Sequence, residues 1–331
     1  MSWLAGRRPG AERVSSPASD DLGGSRILVT GGSGFIGRHV VAELVAAGAQ
    51  VRVIDLQPHP DPAVDIVIGD LIEPEVIAAS LEGGIDAIVH LAAVTSVLRS
   101  VEHPELTHRT NVTATAALLE AARLAGVRTL VFASTNAVVG PMEDGAISES
   151  SRLRPLTPYG ATKAAAEMLM SAYTEVYGLR CACLRLTNAY GTGMEAKDSI
   201  VARLMRAIHT GATFDIYGDG RQVRDYVHVS DAVAAMRLAL ADDTWSGPTV
   251  IGNGTSLSVL EVVDAVQKVA GVPLSVRHVP AKSGEVRAVI VDTRRARAAG
   301  WSPRYDLADG LVGVWEEWSR ADLAAPVVSP L

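Results

Sequence analysis

Only two cysteines and three phenylalanines occur among 331 residues, and other shortages are as informative. Cys181 and Cys183 stand two apart in an apolar run, which predicts buried thiols on one face of a strand. They offer neither a disulfide framework nor a metal site, and no metal is expected. No apolar run approaches the roughly 18 residues that a membrane-crossing helix requires. Arg7 and Arg8 are followed by no apolar segment, so they are not read as a targeting signal. There is no basic block and the net charge is −7, which argues against a nucleic-acid or anionic-membrane surface. A soluble, cytoplasmic protein is expected. What is present, 48% hydrophobic and 20% charged residues with abundant alanine, suits a globular enzyme of one large or two modest domains.

Residues 1–24 are rich in Gly, Pro, Ser and charge without periodicity, and read as a flexible leader. Structure is predicted to begin at Arg26-Ile27-Leu28-Val29-Thr30, a short apolar strand. Gly31-Gly32-Ser33-Gly34-Phe35-Ile36-Gly37 follows and runs into a helical pattern of Val40, Val41, Leu44 and Val45. Strand, glycine turn and helix make the first half of a dinucleotide-binding unit, with the helix N-terminus facing a pyrophosphate. A glycine turn by itself also serves merely to pack a helix on a sheet. Here a second strand, Val51-Arg52-Val53-Ile54, ends in Asp55, 18 residues after Gly37. A carboxylate at that place accepts hydrogen bonds from the adenosine ribose and repels a 2′-phosphate, which favours NAD over NADP. Arg52, earlier on the strand, is expected to face away.

Further strands are read at Ile66-Val67-Ile68, at Ala87-Ile88-Val89 and at Thr129 to Ala133, with a long helix from about Pro104 to Ala125. Polar residues just past such strands, Asp70 and then Ser134-Thr135-Asn136, occupy the end of a parallel sheet where ligands bind. His90 is read as a turn residue near a cofactor. From Gly160 the chain is helical with no breaker before Gly178, so Tyr159 and Lys163 lie one turn apart on one face. A phenol of pKa about 10 is a poor base near neutrality, and an adjacent ammonium favours its phenolate. Tyr159 is therefore the candidate general base or acid and Lys163 its tuning charge. Taken alone, such a pair is more often an exposed surface contact.

Together these pieces resemble the extended short-chain dehydrogenase/reductase superfamily, in particular its NAD-dependent nucleotide-sugar epimerase/dehydratase branch. The likeness runs from about residue 26 to 319. It is carried by the glycine turn, Asp55, Gly69-Asp70-Leu71, His90-Leu91-Ala92-Ala93, Asn111, Ser134-Thr135, Tyr159 with Lys163, and Arg185 through Asn188 and Tyr190 to Gly191. The resemblance implies a Rossmann-type doubly wound parallel sheet with a smaller C-terminal α/β substrate lobe. It places the NAD-binding domain at 25–180 with returning segments near 181–190 and 223–250, and the nucleotide-sugar lobe at 191–222 and 251–325. The lobe is thus interleaved with the main domain. It also implies that NAD lies against Gly31, Ser33, Gly34, Phe35, Ile36, Gly37, Asp55, Asp70, Leu71, Leu91, Ala92, Ala93, Asn111, Tyr159 and Lys163. Thr135 would hold the reacting sugar hydroxyl beside Tyr159.

A nucleoside diphosphate needs cations for its phosphates, a flat apolar slot for its base and a carboxylate for its ribose. Arg224 with Lys282, the 214–217 strand that ends in Tyr217, and Glu285 answer these needs in turn. Ser96, Asn136, Asn188, Val201 and Val289 complete the substrate set that the resemblance implies. Val289 stands where 4-epimerases carry the residue that limits room around the sugar, and its small size implies tolerance at C2 or C6. Lys197 is the cation that the loop after Tyr190 offers to a uronate. Related dehydratases carry Asp-Glu after the hydroxyl residue, whereas here Asn136-Ala137 follows Thr135, so elimination of water lacks its acid and base. The expected activity is an NAD-dependent 4-epimerase of UDP-hexose or UDP-uronate type, acting through a transient 4-keto sugar. A dehydrogenase or ketoreductase of the same superfamily and a catalytically silent nucleotide-sugar-binding protein stay open as alternatives. A homodimer built on helices 104–125 and 160–177 is the expected assembly. Val139 replaces the tyrosine that commonly precedes the glycine matched by Gly140. Leu311, Val314, Trp315 and Trp318 are read as core packing.

Overall fold

The computed structural model describes residues 22–142, 145–281 and 288–320; Lys282 and Glu285 lie outside the described residues. Short β-branched strands alternate with alanine- and leucine-rich helices, the pattern that builds a parallel sheet through helical crossovers. The first half comprises β1 (Arg26–Thr30), α1 (Phe35–Ala46), β2 (Gln50–Asp55), β3 (Asp65–Ile68), α2 (Pro74–Leu81), β4 (Ala87–His90), α3 (Val97–Glu102), α4 (Pro104–His108), α5 (Ala114–Leu124) and β5 (Thr129–Thr135). Next come α6 (Pro158–Tyr177), β6 (Arg180–Leu186), β7 (Asn188–Tyr190), α7 (Ile200–Thr210), β8 (Phe214–Tyr217), β9 (Val223–His228) and α8 (Val229–Ala241). The chain closes with β10 (Gly247–Ile251), β11 (Ser256–Ser258), α9 (Val259–Ala270), β12 (Val276–Val279), α10 (Arg294–Ala298) and α11 (Leu307–Arg320).

Seven strands form one sheet in the order β10-β6-β5-β4-β1-β2-β3, and every pairing in it is parallel. Both of its faces are covered, as the alternation within single strands requires. Ile27 and Val29 of β1 pack with Val40, Val41 and Leu44 of α1 and Ala232, Ala235 and Met236 of α8. Leu28 between them faces Ile77 of α2, Leu118 and Leu119 of α5, and Met170 of α6. Cys181 and Cys183 share that second face as free, buried thiols. A separate core unites α7, β8, α9 and α11, with Leu311, Val314 and Trp318 all buried in it.

One feature differs from the sequence expectation. The helix drawn from 104 to 125 is α4 and α5 joined by a π turn over Arg109–Thr113, which rotates Asn111 inward to 2% exposure. Segment 223–228 does not enter the seven-stranded sheet. As β9 it pairs with β7 and β11 in a three-stranded sheet, placing Tyr226 in the lobe core and Val227 in the main core. Return to the large layer comes with α8 and β10.

Candidate active site

The cofactor end of the site is built from β1, its glycine turn and α1. A Cβ on Gly31 would lie 2.8 Å from the Ala92 backbone nitrogen, and one on Gly37 would lie 2.1 Å from the Gly31 carbonyl oxygen. Glycine is therefore required where turn, helix and the 91–92 strand end meet. At Gly34 the corresponding atom meets only the Gly31 oxygen, at 3.3 Å. Gly34 is the N-cap of α1, no side chain caps that terminus, and its first turn holds no acid. The first-turn N–H groups, including those of Phe35 and Ile36, thus suit a pyrophosphate. Asp55 ends β2 and accepts from the backbone N–H groups of Ser33 at 3.0 Å and Gln57 at 3.1 Å. These two bonds fix the carboxylate, which retains lone pairs for ribose hydroxyls. Arg52 turns to Asp65 on β3 instead, at 2.7 Å. Asp70 accepts from the Ile72 N–H at 3.0 Å, and Leu71 is buried in the core. The residues fit a dinucleotide.

The strand end after β4 is clamped from two sides. Thr30 Oγ1 accepts from the N–H groups of Leu91 and Ala92 at 3.2 and 3.1 Å and bonds His90 Nδ1 at 2.7 Å. His90 Nε2 continues to Thr115 Oγ1 at 2.9 Å. His90 is therefore a fully buried end of β4, not a turn residue; burial and the nearby Lys163 charge push it down to about 3, so it is neutral. Asn111 exchanges two hydrogen bonds with the Val94 backbone, at 2.8 and 3.0 Å, and donates to Thr162 of α6 at 3.0 Å. The π turn thus ties the Ala92–Val94 segment, including Ala93, to the helix that carries Tyr159.

Helix α6 begins with Pro158 at its first position, after Thr157, whose hydroxyl accepts from the Gly160 N–H at 3.2 Å, and ends on Gly178 at φ 72°. The Tyr159 N–H donates to Ser100 of α3 at 3.2 Å, and α3 is itself capped by the Ser96 hydroxyl. Lys163 is buried; its Nζ donates to the Ala133 carbonyl at 2.9 Å and lies 4.4 Å from the centre of the Phe132 ring. Thr135, at the end of β5, accepts from the Ala137 N–H at 3.2 Å and donates to Asn136 Oδ1 at 3.4 Å. Burial pushes Tyr159 up to about 12, with the Thr135 hydroxyl pulling the other way, and pulls Lys163 down to about 7. These directions are the reverse of the simple expectation for a phenol beside an ammonium, because both groups lose water.

In the lobe, Asn188 donates to the Asp225 carbonyl at 2.8 Å, and Arg224 and Tyr217 are half-buried. Val201, by contrast, is 1% exposed inside the lobe core. Val289 packs on the cluster of Val138, Val139, Ile147 and Ala164, next to the start of α6. That apolar cluster is where Val139 finds its place. Lys197 reaches over to Thr95 Oγ1 at 3.3 Å, is held low by burial, and pairs with no carboxylate among the described residues. Sequence reasoning gave no role to Glu167 or Arg185, although Glu167 follows Lys163 by one further helical turn.

Residues 27–252 match the NAD dependent epimerase/dehydratase family. The chain belongs to that family. Among its relatives, a dTDP-glucose 4,6-dehydratase of Streptomyces niveus is 35% identical over 326 residues, covering 92% of this chain and 96% of that protein. The structure of a Thermus thermophilus UDP-glucose 4-epimerase with NAD superposes at a TM-score of 0.84 with 34% identity, covering 89% of this chain and 99% of that one. MoeE5, solved with UDP-glucuronic acid and NAD, superposes at 0.83 with 39% identity, covering 89% and 99%. Members of the family with different outcomes thus lie at similar distance, and local chemistry must separate them.

Proposed function

We propose that the protein is an NAD-dependent 4-epimerase of UDP-sugars. The observation that carries this reading is the end of β5, where Thr135 is followed by Asn136 and Ala137 beside Tyr159 and Lys163. The machinery for moving a proton at a sugar hydroxyl is present, and the acid–base pair for expelling water is not, despite the 35% identity to a dehydratase. NAD, when bound, supplies the acceptor for the C4 hydride and returns it. Thr135 holds the O4 hydroxyl, Tyr159 takes its proton, and Lys163 supports the phenolate. The 4-keto sugar turns over between the two lobes, Tyr159 gives the proton back, and the 4-epimer leaves with no net oxidation. Asn188, Arg224 and Tyr217 face the nucleotide, and Val289 bounds the sugar.

Lys197 favours a UDP-uronate among the substrates. Burial holds the Lys197 ammonium low, its hydrogen-bond partner among the described residues is the Thr95 hydroxyl, and a sugar carboxylate would satisfy it. A homodimer through α5 and α6 fits the exposed Leu124, Met168 and Val176. No helix among the described residues is long and apolar enough to cross a membrane, and two buried, unpaired thiols suit the reducing cytoplasm where we place the protein. The test is to incubate the protein with UDP-glucose and UDP-glucuronate without added NAD and to separate the products. The 4-epimer is expected, with no change in nicotinamide absorbance, and Tyr159→Phe should lose activity by several orders of magnitude. A 4-keto-6-deoxy product, or turnover only with stoichiometric NAD, would replace this reading with a dehydratase or a dehydrogenase.

A further inference from the structure

The proposed proton transfer leaves three buried side chains without a role: Ser134, Glu167 and Arg185, at 3%, 7% and 3% exposure. Ser134 and Arg185 are register partners on the neighbouring strands β5 and β6. Glu167 meets both from α6. Ser134 Oγ donates to Glu167 Oε1 at 2.5 Å. Arg185 Nε donates to the two carboxylate oxygens at 3.1 and 3.2 Å, and Nη2 donates to Oε2 at 2.8 Å. Arg185 Nη1 goes on to the carbonyls of Ser148 and Glu149 at 3.3 and 3.2 Å. Successive residues of β5 therefore grip one face of α6: Ala133 holds Lys163, Ser134 holds Glu167, and Thr135 stands by Tyr159. On the helix these partners fall at i, i+4 and i+8.

A buried ion pair gains little stability over apolar side chains of equal volume, so folding alone does not account for this one. Its place against Lys163 does. The competent pair, phenolate with ammonium, carries the same number of protons as phenol with neutral amine, and burial works against the charged form of each group. A fixed carboxylate one turn from Lys163 and two turns from Tyr159 stabilises the ammonium more than it penalises the phenolate.

We infer that Glu167 is a positioning residue for proton transfer: its carboxylate, fixed by Ser134 and Arg185, keeps Lys163 cationic beneath the strand end that bears Thr135. The inference rests on Tyr159 and Lys163 being the proton-transfer pair. Other charged or titratable groups near Lys163 do not supply this charge. His90 on β4 is neutral, and Cys183 on β6 is pushed well above its ordinary value by burial and stays a thiol, as does Cys181. Arg185 is itself cationic; its Nε and Nη2 face Glu167 and its Nη1 the 148–149 carbonyls, and Glu149 accepts from the Val250 N–H at 2.9 Å. The Glu167 charge raises Lys163 against the desolvation that pulls it to about 7.

The chain has four lysines, Lys163, Lys197, Lys268 and Lys282, so carbon-13 labelling at lysine Cε reads the Lys163 titration directly, assigned by the signal missing in Lys163→Met. In Glu167→Gln the Lys163 midpoint is expected to fall by about one pH unit, a tenfold loss of proton affinity. Activity that needs the ammonium is lost as pH rises through that midpoint, so the alkaline limb of kcat should move to lower pH by the same amount, with KM for the UDP-sugar little changed. Glu167→Gln with Arg185→Met removes the unpaired guanidinium and keeps the inference testable if the single variant misfolds. The low midpoint and the shifted limb should persist there. An unmoved Lys163 midpoint in a folded variant, or return of both readouts to wild type in the double variant, would make the network merely structural and overturn the inference. A shifted midpoint in a protein that epimerises nothing would sink the functional reading alone.

Discussion

Two glycines at the start of α1, its N-cap Gly34 and Gly37 in its first turn, should separate folding from cofactor binding. A methyl on Gly37 would lie 2.1 Å from the Gly31 carbonyl oxygen and 2.7 and 2.8 Å from Gly32 backbone atoms. All three neighbours are main chain, so no rotamer change relieves the clash, and α1 must retreat from the turn by about an ångström to restore van der Waals contact. Overpacking of this kind costs about 1–3 kcal/mol, a fall in Tm of roughly 2–8 °C. The displaced atoms are also the proposed pyrophosphate cradle, so NAD should bind about 10–100-fold more weakly in Gly37→Ala. Gly34 is different. Its φ of −76° and ψ of 179° suit any residue, and its added methyl meets one oxygen at 3.3 Å. Gly34→Ala should melt within about a degree of wild type, as expected for a surface change worth less than ~0.5 kcal/mol. Gly34 is nevertheless the N-cap of α1, a terminus that no side chain caps, and with a methyl there NAD affinity should fall at least tenfold, by about 1.4 kcal/mol. Thermal melts and calorimetric titration with NAD, after removal of any copurified cofactor, measure both quantities. Equal loss of stability in the two variants, or wild-type affinity in Gly34→Ala, would refute the assignment of this turn.

Three other outcomes follow from the same geometry. Asp55→Ala removes the carboxylate that Ser33 and Gln57 orient, so NAD should weaken and discrimination against NADP relax; an unchanged preference in competition binding would remove Asp55 from the site. Lys197→Met should lower kcat/KM for UDP-glucuronate about 100-fold, the loss of one charge-assisted hydrogen bond, while UDP-glucose changes only a few-fold. Equal losses toward both sugars would assign Lys197 to the diphosphate instead. Sedimentation at micromolar concentration should show a dimer, and Leu124→Lys with Val176→Lys, at sites 70% and 69% exposed, should give a folded monomer; a monomeric wild type would reject the α5–α6 interface.

The local chemistry of this protein was legible in the chain because it obeys short spacings. Strand, glycine turn and helix at 26–45 needed only sequence neighbours, as did Asp55 at the end of a β-branched run. The same holds for α6, where the lack of a breaker before Gly178 and a period of 3.6 put Tyr159 and Lys163 on one face, although the helix starts at Pro158 and not at Gly160. The spacing of two along β6 already put Cys181 beside Cys183 on one face. Tertiary structure decided whatever depends on which strands lie side by side and in what register. Ser134 meets Arg185 only because β5 pairs with β6, and Glu167 acquires its partners only when α6 settles over that pair. The π turn brings Asn111 onto Val94 and Thr162, and no propensity along 104–125 announces it. His90 looked like a loop residue until Thr30, 60 positions away, and Thr115 enclosed it. Lys197 reaches Thr95 across 102 residues of chain. Periodicity reports a residue's relation to its neighbours within a turn or two; the desolvation that pulls Lys163 down and pushes Tyr159 up comes from elements that only the fold brings together.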